Sequence, residues 1–356
     1  MTQNTALVVG ATGIAGSNLS KALIEKGWTV YGLSRNAQNE MIGLNPVTAD
    51  LLDIQSVTTA LKDLSPTHVF FTTWMRNDTE EENIRVNSAM IRNVLDVLSS
   101  KKTVKHVSLV TGLKHYLGPF DAYATTGTLP QTPLREEMPR LDLPNFYYAQ
   151  EDEVYKAAKS DGFTWNVHRP HTLIGSTIGN AMNMGTTLAV YASICKYEGL
   201  PLVWPGSEAQ WEGISDVTDA TILAEQIIWA ATTEKAHNEA FNVSNGDVFR
   251  WKWLWPKIAE WFAIEYEGFS GTIKPLETIL NDKQPVWDKI VQENRLAEKE
   301  LSRLASAWHT DLDLGRPLEV MTDMSKSRTL GFTSYQSTKN SFFNVFEALR
   351  KKEIIP

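Results

Sequence analysis

Three glycines in "VVGATGIAGSNL", at positions 10, 13 and 16, constrain this chain more than any other feature of it. They lie between an apolar β-type run, "ALVVG", and the helical pattern "SNLSKALIEKG". A turn this short points helix N-terminal amides at one spot, and glycines leave that spot open to a pyrophosphate. Gly10 makes the turn, Gly13 admits the phosphates, and Gly16 lets the helix close on the sheet. Thr12 and Ile14 stand between them and are expected to border the same ligand. A glycine trio alone is a weak signal; one that opens a βαβ unit is strong.

The first half continues the alternation that such a unit starts. Strands are expected at 6–10, 29–34, 45–50, 68–73, 106–111 and 164–170. Between them, "EENIRVNSAMIRNVLDVLSS" places apolar residues at helical spacing. The predicted class is α/β: a Rossmann doubly wound parallel sheet with a smaller, mostly helical C-terminal substrate domain. A chain of 356 residues suits that division. The nucleotide-binding domain is expected over 1–170, with 212–246 returning to it, and the substrate domain over 171–211 and 247–356. Ten of the twelve tryptophans lie beyond residue 160, enough to build a second core and to leave a few rings for an apolar pocket.

Composition excludes several functions. Acidic side chains outnumber basic ones, 42 to 34, and no basic run exceeds "RKK" at 350–352, so a nucleic-acid groove is not expected. Cys195 is the single cysteine, which removes internal disulfides and cysteine-based zinc sites. No metal is expected. The first residues carry no basic leader and no membrane-length apolar run, and the expected location is cytoplasmic. "NVS" at 242–244 matches a glycosylation acceptor and reads as a chance match.

Beyond the glycine turn, the second strand ends in "LSRN" where an NAD site would place an acid on the ribose diol. Ser34 and Arg35 are placed instead for a 2′-phosphate, which favours NADPH, although an arginine there can equally be a solvated charge. Asp50 could accept from the adenine amine, with Leu51 beside it; Thr72, Thr73, Trp74 and Thr111 follow strand ends that would border the cofactor.

The glycine pattern resembles that of the reductive short-chain dehydrogenases, which usually carry a YxxxK pair on one helix. In "NFYYAQEDEVYKAAK", Tyr147 is followed four positions later by Glu151 and Tyr148 by Asp152. A literal match exists at Tyr155 and Lys159, but it lies ~12 Å along the helix from Tyr147 and is rotated by about 80°. A helix that follows a strand starts beside the carboxyl edge and runs away from it, so this pair should lie far from a nicotinamide. Taken alone, Lys114 in "TGLKHYLGPF" reads equally as a site lysine or a solvated one.

Together, "TGLKHYLGPF", "NFYYAQEDEVY", "VHRP", "YASICKYEG" and "NEAFNVSNGDVFRWKWLW" resemble the motifs of the progesterone 5β-reductase/iridoid synthase-like family of extended short-chain dehydrogenases. The resemblance runs from the glycine turn to "LGFTSYQSTKNSFF". It implies NADPH-dependent 1,4-reduction of enones or enals, with Tyr147 catalytic and Lys114 supplied from the loop after the fifth strand. By motif position it also implies a pocket shaped by Tyr116, Phe120, Tyr148, Asn183 and Phe332. His171 departs from the family, which commonly has glycine after "HRP"; a structural, hydrogen-bonded histidine is expected there. The expected partner is a small apolar enone or enal, with no nucleic acid and no membrane, and a homodimer is compatible with the chain. Carbonyl reduction, an epimerase or dehydratase reaction using Tyr155 and Lys159, and a non-catalytic NADPH sensor remain the alternatives.

Overall fold

A computed structural model describes residues 4–36, 41–119, 130–180 and 182–356. The chain divides into two compact units. The first comprises Met1–His171, Ala220–Val243 and Asp323–Ser334, and the second Thr172–Asp219, Ser244–Thr322 and Tyr335–Pro356.

The first unit is built on a seven-stranded sheet. Its strands are β1 (Thr5–Val9), β2 (Thr29–Ser34), β3 (Leu44–Thr48), β4 (His68–Phe71), β5 (His106–Val110), β6 (Thr164–Pro170) and the strand Glu239–Val243. From one edge the order is Glu239–Val243, β6, β5, β4, β1, β2, β3, and all pairings are parallel. Parallel neighbours need crossovers, here the helices α1 (Ile14–Glu25), α2 (Ile54–Leu61), α3 (Glu80–Ser99) and α5 (Phe146–Asp161), with a short α4 (Lys114–Leu117) after β5. Alternate residues of the central strands (Leu7, Val9, Val69, Phe71, Val107, Leu109) share one core with Val86, Ile91, Val94 and Val154 of α3 and α5. Two-residue periodicity in the strands meets three- and four-residue periodicity in the helices, as a sheet buried under helices requires. On another side α1 packs against the helix Ala220–Thr232.

The chain leaves β1 toward β2 and β3, then returns to β4 on the opposite side of β1. This reversal opens a crevice above the carboxyl ends of β1 and β4, the ligand position of doubly wound sheets.

The second unit has a core rich in tryptophan. Trp204, Trp251, Trp255 and Trp287 are fully buried, and Trp204 lies 5.5 Å from Trp251 and 5.1 Å from Trp255 between ring centroids. The indole N–H of Trp255 donates to Leu202 O (2.9 Å) and that of Trp204 to Ser207 O (3.1 Å), so both rings are buried without leaving a polar atom unpaired.

Two segments lie elsewhere than the sequence suggests. Residues 323–334, expected with the substrate domain, belong to the first unit. Asp323 N donates to Leu134 O (2.8 Å), Arg135 pairs with Asp323 (2.9 Å), and Lys326 donates to Ala240 O (2.9 Å). Conversely, the returning segment is Ala220–Val243 rather than 212–246, because 212–219 and 244–246 fall in the second unit. Among the described residues, no helix is long and apolar enough to cross a membrane.

Candidate active site

The glycine turn is as tight as its spacing requires. Gly10 adopts φ +93°, and its N–H donates to Leu33 O (2.9 Å). A β-carbon on Gly10 would lie 2.6 Å from Thr73 Cβ, and one on Gly16 would lie 2.2 Å from Gly10 O. Both distances are below any tolerated contact, so glycine is required at each for steric reasons. The Thr72 hydroxyl donates to Val9 O (2.9 Å), locking the end of β4 to that of β1.

Gly13 caps α1 without a side chain, and no acidic residue stands in that helix's first turn. The start of α3 is the opposite case, with Thr79 accepting from Glu82 N and three glutamates in the first turn. An N-terminus left without a capping side chain or an acid fits an anionic ligand, and one filled with glutamates does not. The residues around the α1 turn therefore fit a dinucleotide pyrophosphate.

Thr12 is exposed in the turn, and Ile14 is buried at the first helical position. Arg35 is exposed just past β2, while Ser34 donates its hydroxyl to Asn36 O (2.8 Å). Asp50 Oδ1 accepts from Leu52 N (3.0 Å), forming the turn after β3, and the Leu51 side chain is buried. Thr111 is tied to β6 by its N–H to His168 O (2.8 Å).

Lys114 is only 6 % exposed. Its ammonium lies over three rings, 5.0 Å from the centroid of Trp74, 5.2 Å from Tyr147 and 5.7 Å from Phe146. The Trp74 and Phe146 rings stack on each other at 5.0 Å. Three aromatic faces give a desolvated cation a favourable field, each worth roughly 0.5–2 kcal/mol. Trp74 stands in a loop that buried asparagines of α3 pin in place. Asn87 accepts from Met75 N (2.7 Å) and donates to Met75 O (2.8 Å), and Asn83 accepts from Asn77 N (2.7 Å).

Tyr147, 5 % exposed, sits at the start of α5 against the backbone of Gly112. A β-carbon on Gly112 would be 3.3 Å from the Tyr147 hydroxyl oxygen. The structure thus brings Tyr147, Lys114 and Trp74 together above the carboxyl ends of β4 and β5.

Position 151, where a YxxxK lysine would stand relative to Tyr147, holds Glu151, and this glutamate is 1 % exposed. It pairs with Arg140 (2.7 Å) and Arg169 (3.5 Å). His115 lies 3.8 Å from Glu151, but burial and the Arg169 charge depress its pKa to about 3, so this contact joins a carboxylate to a neutral ring. The network fixes the base of the site, and sequence reasoning did not find it. The only available signal was an arginine in "VHRP" facing a glutamate in "QED".

Tyr116 and Tyr148, expected in the pocket, both have their hydroxyls hydrogen-bonded within the first unit. The Tyr116 hydroxyl donates to Asn242 Oδ1 (2.6 Å) and accepts from Arg169 (3.2 Å); burial raises its pKa to about 12. The Tyr148 hydroxyl donates to His115 O (2.6 Å) and accepts from Leu141 N (3.0 Å). Both phenols brace α4, and neither presents a free hydroxyl. Phe332, the next residue expected in the pocket, packs within the first unit. Its ring packs on Trp229 (5.4 Å), and the adjoining Gly331 faces Lys235, which precedes the strand Glu239–Val243 at the amino edge of the sheet. Asn183 caps the helix Met184–Glu198 by accepting from Thr186 N (3.1 Å) while donating to Thr177 O (2.6 Å), a structural arrangement that occupies its amide. Phe120 lies outside the described residues.

Tyr155 lies 4.3 Å from the ring of Trp165, at the start of β6 and hence at the amino edge, and Lys159 is exposed. Burial raises the Tyr155 pKa further above its usual value, the wrong direction for a catalytic phenol. Asn242 of the "NVS" match is fully buried in a strand, with its amide donating to Leu134 O (2.9 Å), so it cannot accept a glycan. His171 is buried where β6 ends, and its N–H donates to Val243 O (3.3 Å). No group of three or more potential metal ligands occurs among the described residues.

Solved structures share this architecture at low identity. A UDP-glucose 4-epimerase of Thermotoga maritima superposes with a TM-score of 0.69 at 13 % identity, covering 98 % of this chain and 99 % of its own. The enzyme WbmH of Bordetella bronchiseptica, solved with NAD+, gives 0.65 at 16 % identity, covering 98 % and 99 %. At these identities the likeness establishes the fold.

Sequence relatives are much nearer. An (S)-8-oxocitronellyl enol synthase of Nepeta cataria is 41 % identical over 99 % of this chain and 94 % of its own length. A 3-oxo-Delta(4,5)-steroid 5-beta-reductase of Arabidopsis thaliana is 40 % identical over the same shares of the two chains. Residues 49–356 match the family model for the PRISE-like Rossmann-fold domain. With a family match over most of its length and relatives near 40 % identity end to end, the chain belongs to the PRISE-like Rossmann-fold family.

Proposed function

We propose that this protein reduces the activated C=C bond of a small apolar enone or enal with NADPH. The observation that carries the reading is Lys114, a nearly buried cation held against the Tyr147 ring beside the dinucleotide crevice, in a family whose relatives include a steroid 5-beta-reductase. A nicotinamide cofactor fits the glycine turn, and Arg35, exposed where an NAD site would carry an acid, supports the phosphorylated form.

A nicotinamide cofactor held at the glycine turn would supply the hydride for the β-carbon of the substrate. Negative charge then develops on the carbonyl oxygen, and the Tyr147 hydroxyl donates to it. A donor of this kind is worth ~3 to 4 kcal/mol in the transition state. The Lys114 charge stabilises the negative charge that builds on the phenol oxygen as its O–H is shared with the substrate, and so strengthens that donor. Trp74 and Phe146 shield the ammonium from water, which keeps its field strong at short range. Protonation of the enolate at the α-carbon completes the reaction, with water as the proton source.

The test is NADPH consumption by the purified protein with a cyclic enone, a steroid 4-en-3-one and an enal, with products identified by mass and chirality. Saturated ketone or aldehyde supports the reading. An allylic alcohol as sole product would assign the hydride to the carbonyl carbon, and binding without turnover would favour a non-catalytic NADPH sensor.

A further inference from the structure

Lys114 and Tyr147 are 33 positions apart in the chain. They belong to different elements, and a short-chain dehydrogenase with YxxxK has no such problem, because one helix sets both residues. The distance between them here must be set by something else.

One side chain bridges the two elements. Asn145, 3 % exposed, caps α5: its Oδ1 accepts from Tyr147 N (3.0 Å). Its Nδ2 donates to the carbonyl oxygen of Lys114 (2.8 Å). The orientation of the amide is unambiguous, because one end faces an N–H and the other a C=O. The same short side chain therefore contacts the backbone of both proposed catalytic residues. Glu80 adds a further restraint by accepting from Phe146 N (2.6 Å). Tyr148 holds the carbonyl of His115, one peptide beyond Lys114.

We infer that Asn145 is a positioning residue that sets the relative placement of Lys114 and Tyr147, doing in space what i, i+4 spacing does in a YxxxK helix. The inference rests on the catalytic reading of that pair. Capping alone does not require asparagine, since aspartate and serine cap about as well. Aspartate has no donor for Lys114 O, and the serine hydroxyl is a single oxygen one bond nearer the backbone, whereas the asparagine amide puts its acceptor and its donor on two separate atoms that meet Tyr147 N and Lys114 O. Without the donor, α4 is still held by Tyr148 at His115, so the turn can reorient about that point while the fold persists.

The experiment compares Asn145→Ser, whose single shorter hydroxyl keeps the cap acceptor but not the arm that reaches Lys114 O, and Asn145→Asp, which keeps the acceptor and loses the donor, with Tyr147→Phe and Lys114→Ala. Asn145→Ser should melt within about 3 °C of the parent. Its kcat with a saturating enone should fall roughly 10- to 100-fold, the scale of a misplacement approaching 1 Å, with little change in KM. The high-pH limb of kcat, where the phenol loses its proton, should move up by roughly half a unit as the ammonium drifts from the ring. Asn145→Asp should show the same loss of kcat. Parent-like kcat in both variants, or a fall in kcat with an unmoved limb, would overturn the inference. If Tyr147→Phe and Lys114→Ala themselves keep full activity, the catalytic reading fails and this inference falls with it; if only they lose activity, the role of Asn145 alone is refuted.

Discussion

Replacing Gly112 by alanine tests the position of Tyr147 without touching its chemistry. The new β-carbon would lie 3.3 Å from the phenol oxygen, 3.5 Å from Tyr147 Cε2 and 3.4 Å from Pro170 O. Pro170 is backbone at the end of β6 and cannot yield, so the phenol retreats by a few tenths of an ångström. If ~1 Å of misplacement costs about a hundredfold in rate, 0.3 to 0.5 Å costs roughly 4- to 10-fold, or about 0.8 to 1.4 kcal/mol of barrier. Stability should move the other way. Gly112 is not among the positive-φ glycines, so alanine fits the backbone and reduces the freedom of the unfolded chain, a gain of about 0.4 to 1 kcal/mol. Steady-state kinetics with a saturating enone and thermal melts on the same preparation measure both signs. A kcat within twofold of the parent would refute the argument that Gly112 defines where Tyr147 stands. A fall in kcat matched by a fall in stability would refute it as well, since general loosening would then explain both.

Tyr147→Phe should lower kcat about 10²- to 10³-fold while NADPH still quenches intrinsic fluorescence, and Tyr155→Phe should change kcat less than twofold, roughly; the reverse pattern would move catalysis to the amino edge. Arg35→Ala should raise KM for NADPH by about tenfold and leave NADH nearly unaffected, the loss expected of one charge-assisted phosphate contact; equal effects on both cofactors would remove the 2′-phosphate assignment. Acid should destabilise the fold early. Burial holds His68, His106, His115 and His168 at about 4, 3, 3 and 4, below their ordinary 6.5. The unfolded chain therefore binds more protons below pH 6.5, so this stability is complete above that pH and declines as pH falls toward 4, by up to about 1.4 kcal/mol per histidine per pH unit. Glu136 and Asp311, raised by burial, act in the opposite direction, two groups against four. Urea midpoints measured from pH 7 to 4.5 should fall steeply, and a flat profile would contradict the burial of these rings.

Much of the sheet could be read from the sequence because its signals are local. A short unbroken apolar run such as Ala6, Leu7, Val8 and Val9 declares a strand buried on both faces, and the Gly10, Gly13 and Gly16 spacing declares the turn that follows it. The proposed pocket was harder. Tyr116, Tyr148, Asn183 and Phe332 are expected there by motif position alone, and a motif does not say which way a ring or an amide points. Their hydroxyl and amide partners, Asn242, Arg169, His115 and Thr177, come from segments far along the chain or across a turn.

The sequence by itself determined the α/β class, the glycine turn, the absence of a cysteine framework, and the mismatch at position 151; Lys114 as the partner of Tyr147 follows from the family resemblance and is part of the proposal. Tertiary structure alone decided what surrounds that lysine. The three rings over Lys114, the Glu151 pair with Arg140 and Arg169, and the Asn145 bridge all join residues that only folding makes neighbours. The physical reason is range. Turn sterics and short apolar runs act over a few residues and leave a pattern in one dimension, whereas desolvation, ion pairing and hydrogen-bond bridging depend on distances through space.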